Sequence, residues 1–391
     1  MAEQEEFQSV VDAVQKIAGR LRENGRAAEE GRRVPDENIA LLDQAGAFRM
    51  AVPPRFGGLG LSVAEQAEVV REISRGCPST GWDMTVWLTG AQMAALYPDQ
   101  AQEEVFAGGS ARVSIGFAPT GAIVPTEGGY LLNGSWSYNS GCHSADWDCL
   151  AVMLDRPDGT SEEFIAIVPT SELSITDDWD VSAGSGTGSA TTTAKDVFVP
   201  AHRLASYEEL MLGTTGNRWN SAESGRNYGV VAFIMSLYAA MAVGVARGAY
   251  ELFLDRLPGR GITYTSWEDQ ALHPLTQVQV ATAANKIDAA EALSETWLRL
   301  LQERADAGVQ PSDAEKAIVR GQTSFAAQLA KEAVELLFTA SGASVIKRSV
   351  PFQRYHRDIL GFSLHALTNI NVNHELQGRV LLGLDPDTTI L

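Results

Sequence analysis

Cysteine is scarce in this 391-residue chain: only Cys77, Cys142 and Cys149 occur. Three thiols without CxxC spacing make no disulfide framework and suit a reducing compartment, so a cytoplasmic location is expected. Cys142 and Cys149 beside His143 lack a further ligand at zinc-like spacing, so no metal is expected. Cations are outnumbered, 30 Lys and Arg against 49 Asp and Glu, for a formal net charge of −19. Nucleic acid and anionic membranes need clustered positive charge, and neither is expected as a partner. There is no uninterrupted apolar run of about 20 residues, so no membrane span is expected. The start, MAEQEEFQSVV, has neither the basic nor the apolar region of a secretion signal. No GxGxxG follows a strand and opens a helix. The glycine-rich GSGTGS at 184–189 lies in a strand-rich region, so a Rossmann nicotinamide site is not expected.

What is present is an ordinary globular composition, 45% hydrophobic and 20% charged, in a chain long enough for a large core. Val10, Val11, Val14, Ile17, Ala18 and Leu21 recur at helical spacing, and residues 80–97 form a second apolar helix candidate. Pro and Gly near Pro53–Gly58 mark turns between them. From Ala111 to about Leu204 short apolar runs alternate with turn residues: GYLLNGSW, DCLAVML, EFIAIVP and KDVFVP read as strands. Tyr130, Leu132, Trp136 and Tyr138 are expected on one strand face. Helical spacing then returns over 228–257, 275–307 and from Ser312 onward. Ser312 with Glu315 is a capping-box pattern, and Ser341–Gly342 is the expected stop, with glycine in the left-handed position. Three regions follow: helices over 1–110, a β-region over 111–215 and a helical bundle over 216–391.

Four segments in this order carry a resemblance. ARVSIGFAPTGAIVPTEGGYLLNGSWSYNSG at 111–141 ends in W-x-x-x-S-G. WDVSAGSGTGSATTTAKDVFVPAHR at 179–203 ends in a DVFVP-type signature. ELLFTASGASVIKRSVPFQRYHRD at 335–358 carries a small-residue loop. The tail RYHRDILGFSLHALTN has an Arg-Asp pair ahead of its last active-site segment. Together they resemble the acyl-CoA dehydrogenase fold superfamily, and within it the oxygenase components of two-component flavin-dependent monooxygenases. The resemblance implies a mostly α fold with a central β-domain: N-terminal helices, a middle β-barrel or sandwich, and a C-terminal four-helix bundle. It also implies a homotetramer and reduced flavin (FMN or FAD) supplied by a separate NAD(P)H flavin reductase. The implied reaction uses O2, through a flavin C4a-hydroperoxide, to hydroxylate an aromatic or polyketide-like small molecule. An N-hydroxylase of a nucleotide-linked amino sugar is the alternative. A true acyl-CoA dehydrogenase is a weaker one, because Leu364, His365, Ala366 and Leu367 stand where that family carries its Glu base, and Pro258 and Gly259 where it carries the other carboxylate.

Residue by residue, the resemblance implies that Ser140 lies near flavin N5. Ser114, Phe117, Thr120, Trp136, Tyr138 and Asn139 would surround the ring, with Ser341 and Gly342 meeting a neighbouring subunit's cofactor. His365, on the final helix, would be a general base for a phenolic substrate. Trp87, Gln92 and His143 would join it in binding substrate; Gln92 can hydrogen-bond but cannot act as a base near neutral pH. Arg357 and Asp358 are expected to orient that helix by pairing with each other.

Overall fold

The computed structural model describes residues 2–214, 216 and 228–388. The first region holds α1 (Ala2–Gly31), α2 (Asp36–Gln44), α3 (Val63–Gly76), α4 (Pro78–Ala94) and α5 (Asp99–Val105). The spacing noted in α1 is its buried stripe: Val14 and Leu21 are fully enclosed and Ile17 half-buried. α3 opens on a capping box, Ser62 Oγ accepting from Glu65 N and the Glu65 carboxylate from Ser62 N. α4 begins at Pro78, two residues before expected; proline suits the first helical position, where its missing N–H leaves nothing unsatisfied. α4 is apolar all round and buried on nearly every side, as such a helix must be.

The strands are β1 (Val113–Thr126), β2 (Gly129–Asn139), β3 (Trp147–Asp155), β4 (Ser161–Pro169), β5 (Ser174–Thr176), β6 (Ala190–Pro200) and β7 (Leu204–Ser206). They form one seven-stranded sheet in the order β5-β6-β2-β1-β3-β4-β7, with β1 and β3 parallel and the other pairs antiparallel. A second core of Ile123, Leu132, Leu150, Val152, Ala166 and Val199 surrounds the fully buried Trp136. Trp136 sits in a socket of glycines: a Cβ would fall 3.0 Å from its ring at Gly116, 2.2 Å at Gly121 and 2.8 Å at Gly134. Its Nε1–H donates to Ala151 O at 2.9 Å.

Tyr138 does not share the face of Trp136. The β2–β6 register shifts between Trp136 and Asn139, and Tyr138 takes φ 60° at that bulge. The bulge reverses the alternation, so Tyr138 is 76% exposed and Asn139 is buried. Asn139 Nδ2 donates to Asp148 Oδ2 at 2.6 Å and to Thr192 Oγ1 at 2.9 Å. Burial pushes the Asp148 carboxyl up to about 7, against the lowering effect of its hydrogen bonds from Asn139, Ser114 and Thr192.

The helices after the sheet are α6 (Tyr207–Leu212), α7 (Val230–Leu254), α8 (Pro274–Asp306), α9 (Asp313–Ala340), α10 (Phe352–Phe362) and α11 (Ile370–Leu381). The expected boundary at residue 215 lies outside the described residues. α9 starts on the expected capping box of Ser312 and Glu315. Its stop differs in detail: Gly342 has φ 65° but ψ 173°, an extended rather than left-handed helical conformation. α7 is by length and composition apolar enough to cross a membrane, but 83% of its most apolar window is buried within the protein. It is the axis of the helical core. Gly244 and Gly248 bring α7 against α3, so close that a Cβ would lie 2.1 Å from Arg71 O and 2.4 Å from Arg75 O. Glu251, one turn on, accepts from Arg22 of α1 and Arg75 of α3. Helices from both ends of the chain therefore share one hydrophobic core.

Gly244→Ala overpacks the α3–α7 crossing and is expected to cost about 1–3 kcal/mol, seen as a lowered Tm. Gly378→Ala, on α11 with nothing within 4 Å of its Cβ, is expected to gain up to about 1 kcal/mol from helix propensity. The Asp148 carboxyl, raised in the folded state from 3.8 to about 7, keeps its proton when folded and loses it on unfolding across that window. Its contribution to stability is full below pH 4 and is lost as pH rises through 7. Asp148→Asn lacks this loss, so denaturation midpoints at pH 5 and pH 8 should show the variant gaining on wild type at the higher pH; a constant difference would refute the assignment.

Candidate active site

A cavity opens where α4, α7, one end of the sheet and the turn between α10 and α11 converge. α4 contributes Trp82, Thr85 and Val86, one helical face at i, i+3 and i+4. Ile115 and Phe117 of β1, with Tyr138 and Ser140 at the end of β2, form the sheet wall. Ile234, Met235 and Tyr238 of α7 face them, and His365, Leu367 and Thr368 close the remaining side. No carboxylate and no Lys or Arg is among these lining residues. Asp83, next to Trp82 in the chain, is 1% exposed and does not line the cavity. Burial pushes its carboxyl well above the ordinary range.

Trp82 organises the interior. Its ring stacks on Phe362 at 4.6 Å and 16°, and meets Tyr238 and His365 edge-on at 6.2 and 5.5 Å. Its Nε1–H donates to Ser140 Oγ at 2.9 Å. Burial raises the Tyr238 hydroxyl to about 12, against a hydrogen bond with Thr368 that lowers it, so the phenol stays neutral. Tyr138 stands at the rim, its ring edge-on to Trp179 at 5.5 Å.

His365 is not on a helix. It precedes a short 3-10 turn, Ala366–Thr368, and its Nδ1 accepts from Leu367 N at 3.3 Å. That bond assigns the neutral tautomer: Nδ1 is the acceptor, so the ring proton sits on Nε2. The ring is open to the cavity yet has protein on most sides, and this burial lowers its pKa, keeping it neutral near pH 7.

Ser140, Phe117, Tyr138 and His365 are thus brought together as expected from the sequence; the other expected residues are not. Ser114 is buried within β1, its Oγ donating to Trp147 O at 3.3 Å. Thr120 is exposed and bonds Ser135 O at 2.6 Å. Trp136 and Asn139 are enclosed in the sheet, as described above, and offer no surface to a ligand. Trp87 is 1% exposed, with Nε1 donating to Gly141 O at 3.2 Å. Gln92 is buried and does not line the cavity. His143 lines a separate polar groove with Arg112 and Asp146. Burial and then Arg33 lower its pKa. Arg357 and Asp358 do not pair with each other: Arg357 bonds Gln353, Ser182 O and Glu29, while Asp358 Oδ1 accepts from Gly184 N at 2.7 Å.

Trp82, Tyr238 and Ser189 were missed in the sequence. Trp82 and Trp87 lie five residues apart, hence about 140° apart on the helix, and a sequence gives no sign of which side faces a cavity. Ser189 belongs to the GSGTGS run, whose glycines drew attention away from its hydroxyls.

Ser341 and Gly342 lie at the end of α9, away from this cavity. There Arg256 and Arg260 both reach Ser344 Oγ, at 3.1 and 3.2 Å, and Arg260 also bonds Ser341 O. Arg256 Nε is buried with no hydrogen-bond partner among the described residues. Burial and the neighbouring Arg260 charge lower the Arg256 pKa. Two guanidiniums so placed match an anion such as phosphate.

The residues present fit a flavin on two observations. The cavity has aromatic walls, Trp82, Phe117 and Tyr238, with the Ser140 hydroxyl at the end of the sheet wall, and Arg256 and Arg260, just after α7, reach Ser344 beside the loop where the resemblance puts a cofactor from a neighbouring subunit. Comparison with known proteins agrees. Residues 2–112 match the acyl-CoA dehydrogenase N-terminal domain, and residues 236–370 match the acyl-CoA dehydrogenase C-terminal domain. The chain is 32% identical to the flavin-dependent monooxygenase oxygenase subunit HsaA of Mycobacterium tuberculosis (strain CDC 1551 / Oshkosh), over 100% of this chain and 99% of the relative. It is 33% identical to the FADH(2)-dependent resorcinol hydroxylase oxygenase component of Rhizobium sp. (strain MTP-10005), over 96% and 95%. The solved structure of XiaF from Streptomyces sp., in complex with FADH2 and glycerol, superposes with a TM-score of 0.92 at 30% identity, covering 100% of this chain and 99% of that one. The chain belongs to the acyl-CoA dehydrogenase superfamily, in its branch of two-component flavin-dependent monooxygenase oxygenase components.

Proposed function

We propose that this oxygenase hydroxylates a phenolic aromatic molecule held between Trp82, Phe117 and Tyr238, using reduced flavin delivered by a separate NAD(P)H flavin reductase in the cytoplasm. The observation that carries the substrate class is the aromatic cavity that has the His365 imidazole among its lining residues. The relatives point the same way, since one of them is by name a resorcinol hydroxylase. Neither alternative gains support from them. A carboxylate base of the dehydrogenase kind has no counterpart among the lining residues.

Bound reduced flavin supplies the activation of O2 and delivers one oxygen atom. The chain supplies everything else. Trp82, Phe362 and Tyr238 exclude water, which strengthens each remaining polar contact. Ser140 would meet the flavin at N5, as the resemblance implies. His365 acts on the substrate, and its tautomer alters the role expected from the sequence. As a base it would become doubly protonated and lose the contact from Leu367 N. As a donor it keeps that contact and offers Nε2–H to the phenolic oxygen, favouring the phenolate that makes the ring carbon nucleophilic. Arg256 and Arg260 would hold a cofactor phosphate, with Ser341 and Gly342 shaping that loop.

The assembly is a homotetramer on this reading. Exposed Leu272, Leu275 and Val278 at the start of α8, and Val372, Leu381 and Leu382 on and after α11, are apolar faces that association covers.

Two experiments test these proposals. A donor to a charged oxygen is worth about 1.5–3 kcal/mol, roughly 10- to 150-fold. His365→Ala should therefore lower product per flavin oxidised by that order, while His365→Gln, whose amide can donate from near the same place, should keep most of it. Equal losses in both variants would return His365 to the base role, and no loss in either would make it structural. Light scattering should give four times the chain mass; a fully active monomer would remove the tetramer and the shared cofactor loop.

A further inference from the structure

Ser140 is the first hydroxyl of a buried chain. Its Oγ accepts from Trp82 Nε1 at 2.9 Å and lies 2.7 Å from Ser189 Oγ. Ser189 Oγ lies 2.7 Å from Thr187 Oγ1, and Thr187 Oγ1 donates to Gly184 O at 2.8 Å. Thr187 is 1% exposed, Ser189 4% and Ser140 7%, so water does not complete these bonds. Gly184 is itself fixed, its N–H held by Asp358 of α10 at 2.7 Å.

The two ends set the direction of every proton between them. An indole N–H can only donate, a carbonyl can only accept, and each hydroxyl has one hydrogen. Thr187 spends its hydrogen on Gly184 O, so Ser189 must donate to Thr187 and Ser140 must donate to Ser189. One lone pair of Ser140 Oγ takes the Trp82 N–H. The group that Ser140 turns to the cavity is therefore its second lone pair, and it has no hydrogen to offer there.

That polarity has a chemical consequence, resting on the reading above that Ser140 meets flavin N5. Reduced flavin carries a hydrogen on N5 and donates; oxidised flavin has a bare lone pair there and accepts. A pure acceptor bonds the first and opposes the second. We propose that Ser189 and Thr187 are positioning residues that lock the Ser140 hydroxyl as an acceptor and so make the site selective for the reduced over the oxidised form of its cofactor. Such selectivity suits a component that takes up reduced flavin from elsewhere and must let oxidised flavin leave.

The test is the ratio of dissociation constants for oxidised and reduced flavin, measured by equilibrium titration with FMN and FAD, the reduced forms under anaerobic conditions. Ser189→Ala removes the acceptor of the Ser140 hydrogen. Thr187→Val lets Ser189 donate back to Ser140. Either change frees the Ser140 hydrogen to reach the cavity, and the preference for reduced flavin should fall roughly ten-fold. Thr187→Ser keeps the hydroxyl and should keep the preference. A purely structural role would weaken both redox states together and leave the ratio where it was, which overturns the proposal. If Ser140→Ala changes the ratio while Ser189→Ala and Thr187→Val do not, the hydroxyl chain is refuted and the N5 contact stands. An unchanged ratio in Ser140→Ala would refute the N5 contact itself, and the proposal with it.

Discussion

Two glycines one helical turn apart decide how near α7 can come to α3, and much of the molecule is built outward from that crossing. Where Gly244 and Gly248 meet the Arg71 and Arg75 carbonyls, no side chain stands between the two backbones. The helices from before and after the sheet then form a single core, and Glu251 ties α1, α3 and α7 together beside it. Because α7 is rigid and buried, its earlier turns hold Ile234, Met235 and Tyr238 at a fixed distance from the end of the sheet. The cavity is the gap left between them. Its width is thus set by backbone contact some distance from any reacting group.

What fills that gap is controlled by the direction of hydrogen bonds more than by charge. The lining residues carry neither a carboxylate nor a Lys or Arg, and burial keeps His365 and Tyr238 neutral. In such surroundings a hydroxyl or an imidazole matters through which atom holds its hydrogen, and the protein settles that with backbone groups: Gly184 O at one end of the Ser140 chain, Leu367 N beside His365. The loop at 184–189, not a nicotinamide fingerprint, bends far enough to bring Thr187 and Ser189 into line with Ser140 because Gly184 and Gly188 take positive φ.

The helices and strands were legible in the sequence because their signals are local. The α1 stripe, the Ser312–Glu315 cap and the alternating runs of the sheet each depend on neighbours within a few residues. The motif segments also pointed to Ser140, Phe117, Tyr138 and His365, which line one cavity. The failures share a cause: each turns on a non-local fact. The bulge that reverses Tyr138 against Trp136 comes from pairing with β6. The choice of Trp82 over Trp87 depends on which side of α4 the sheet covers. Asp358 looked like a partner for Arg357 because they are adjacent, but its real partners, Gly184 N and Ser79 Oγ, come from far away in the chain. His365 was assigned to a helix because nothing in LGFSLHALTN announces that α10 stops at Phe362.

The Trp136 socket has a consequence for how this protein can diverge. An indole enclosed by Gly116, Gly121 and Gly134 is one unit of four residues, and none of them can change alone: a methyl on any glycine strikes the ring, and a smaller residue at 136 leaves a hole that the glycines cannot fill. Val86 of α4 and Ile234 and Met235 of α7, which stand outside the contacts of Trp82 with Tyr238 and Phe362, are not bound into such a unit. Descendants of this chain are therefore free to explore new substrates through these helical positions, while the Trp136 core of the sheet is inherited as a block.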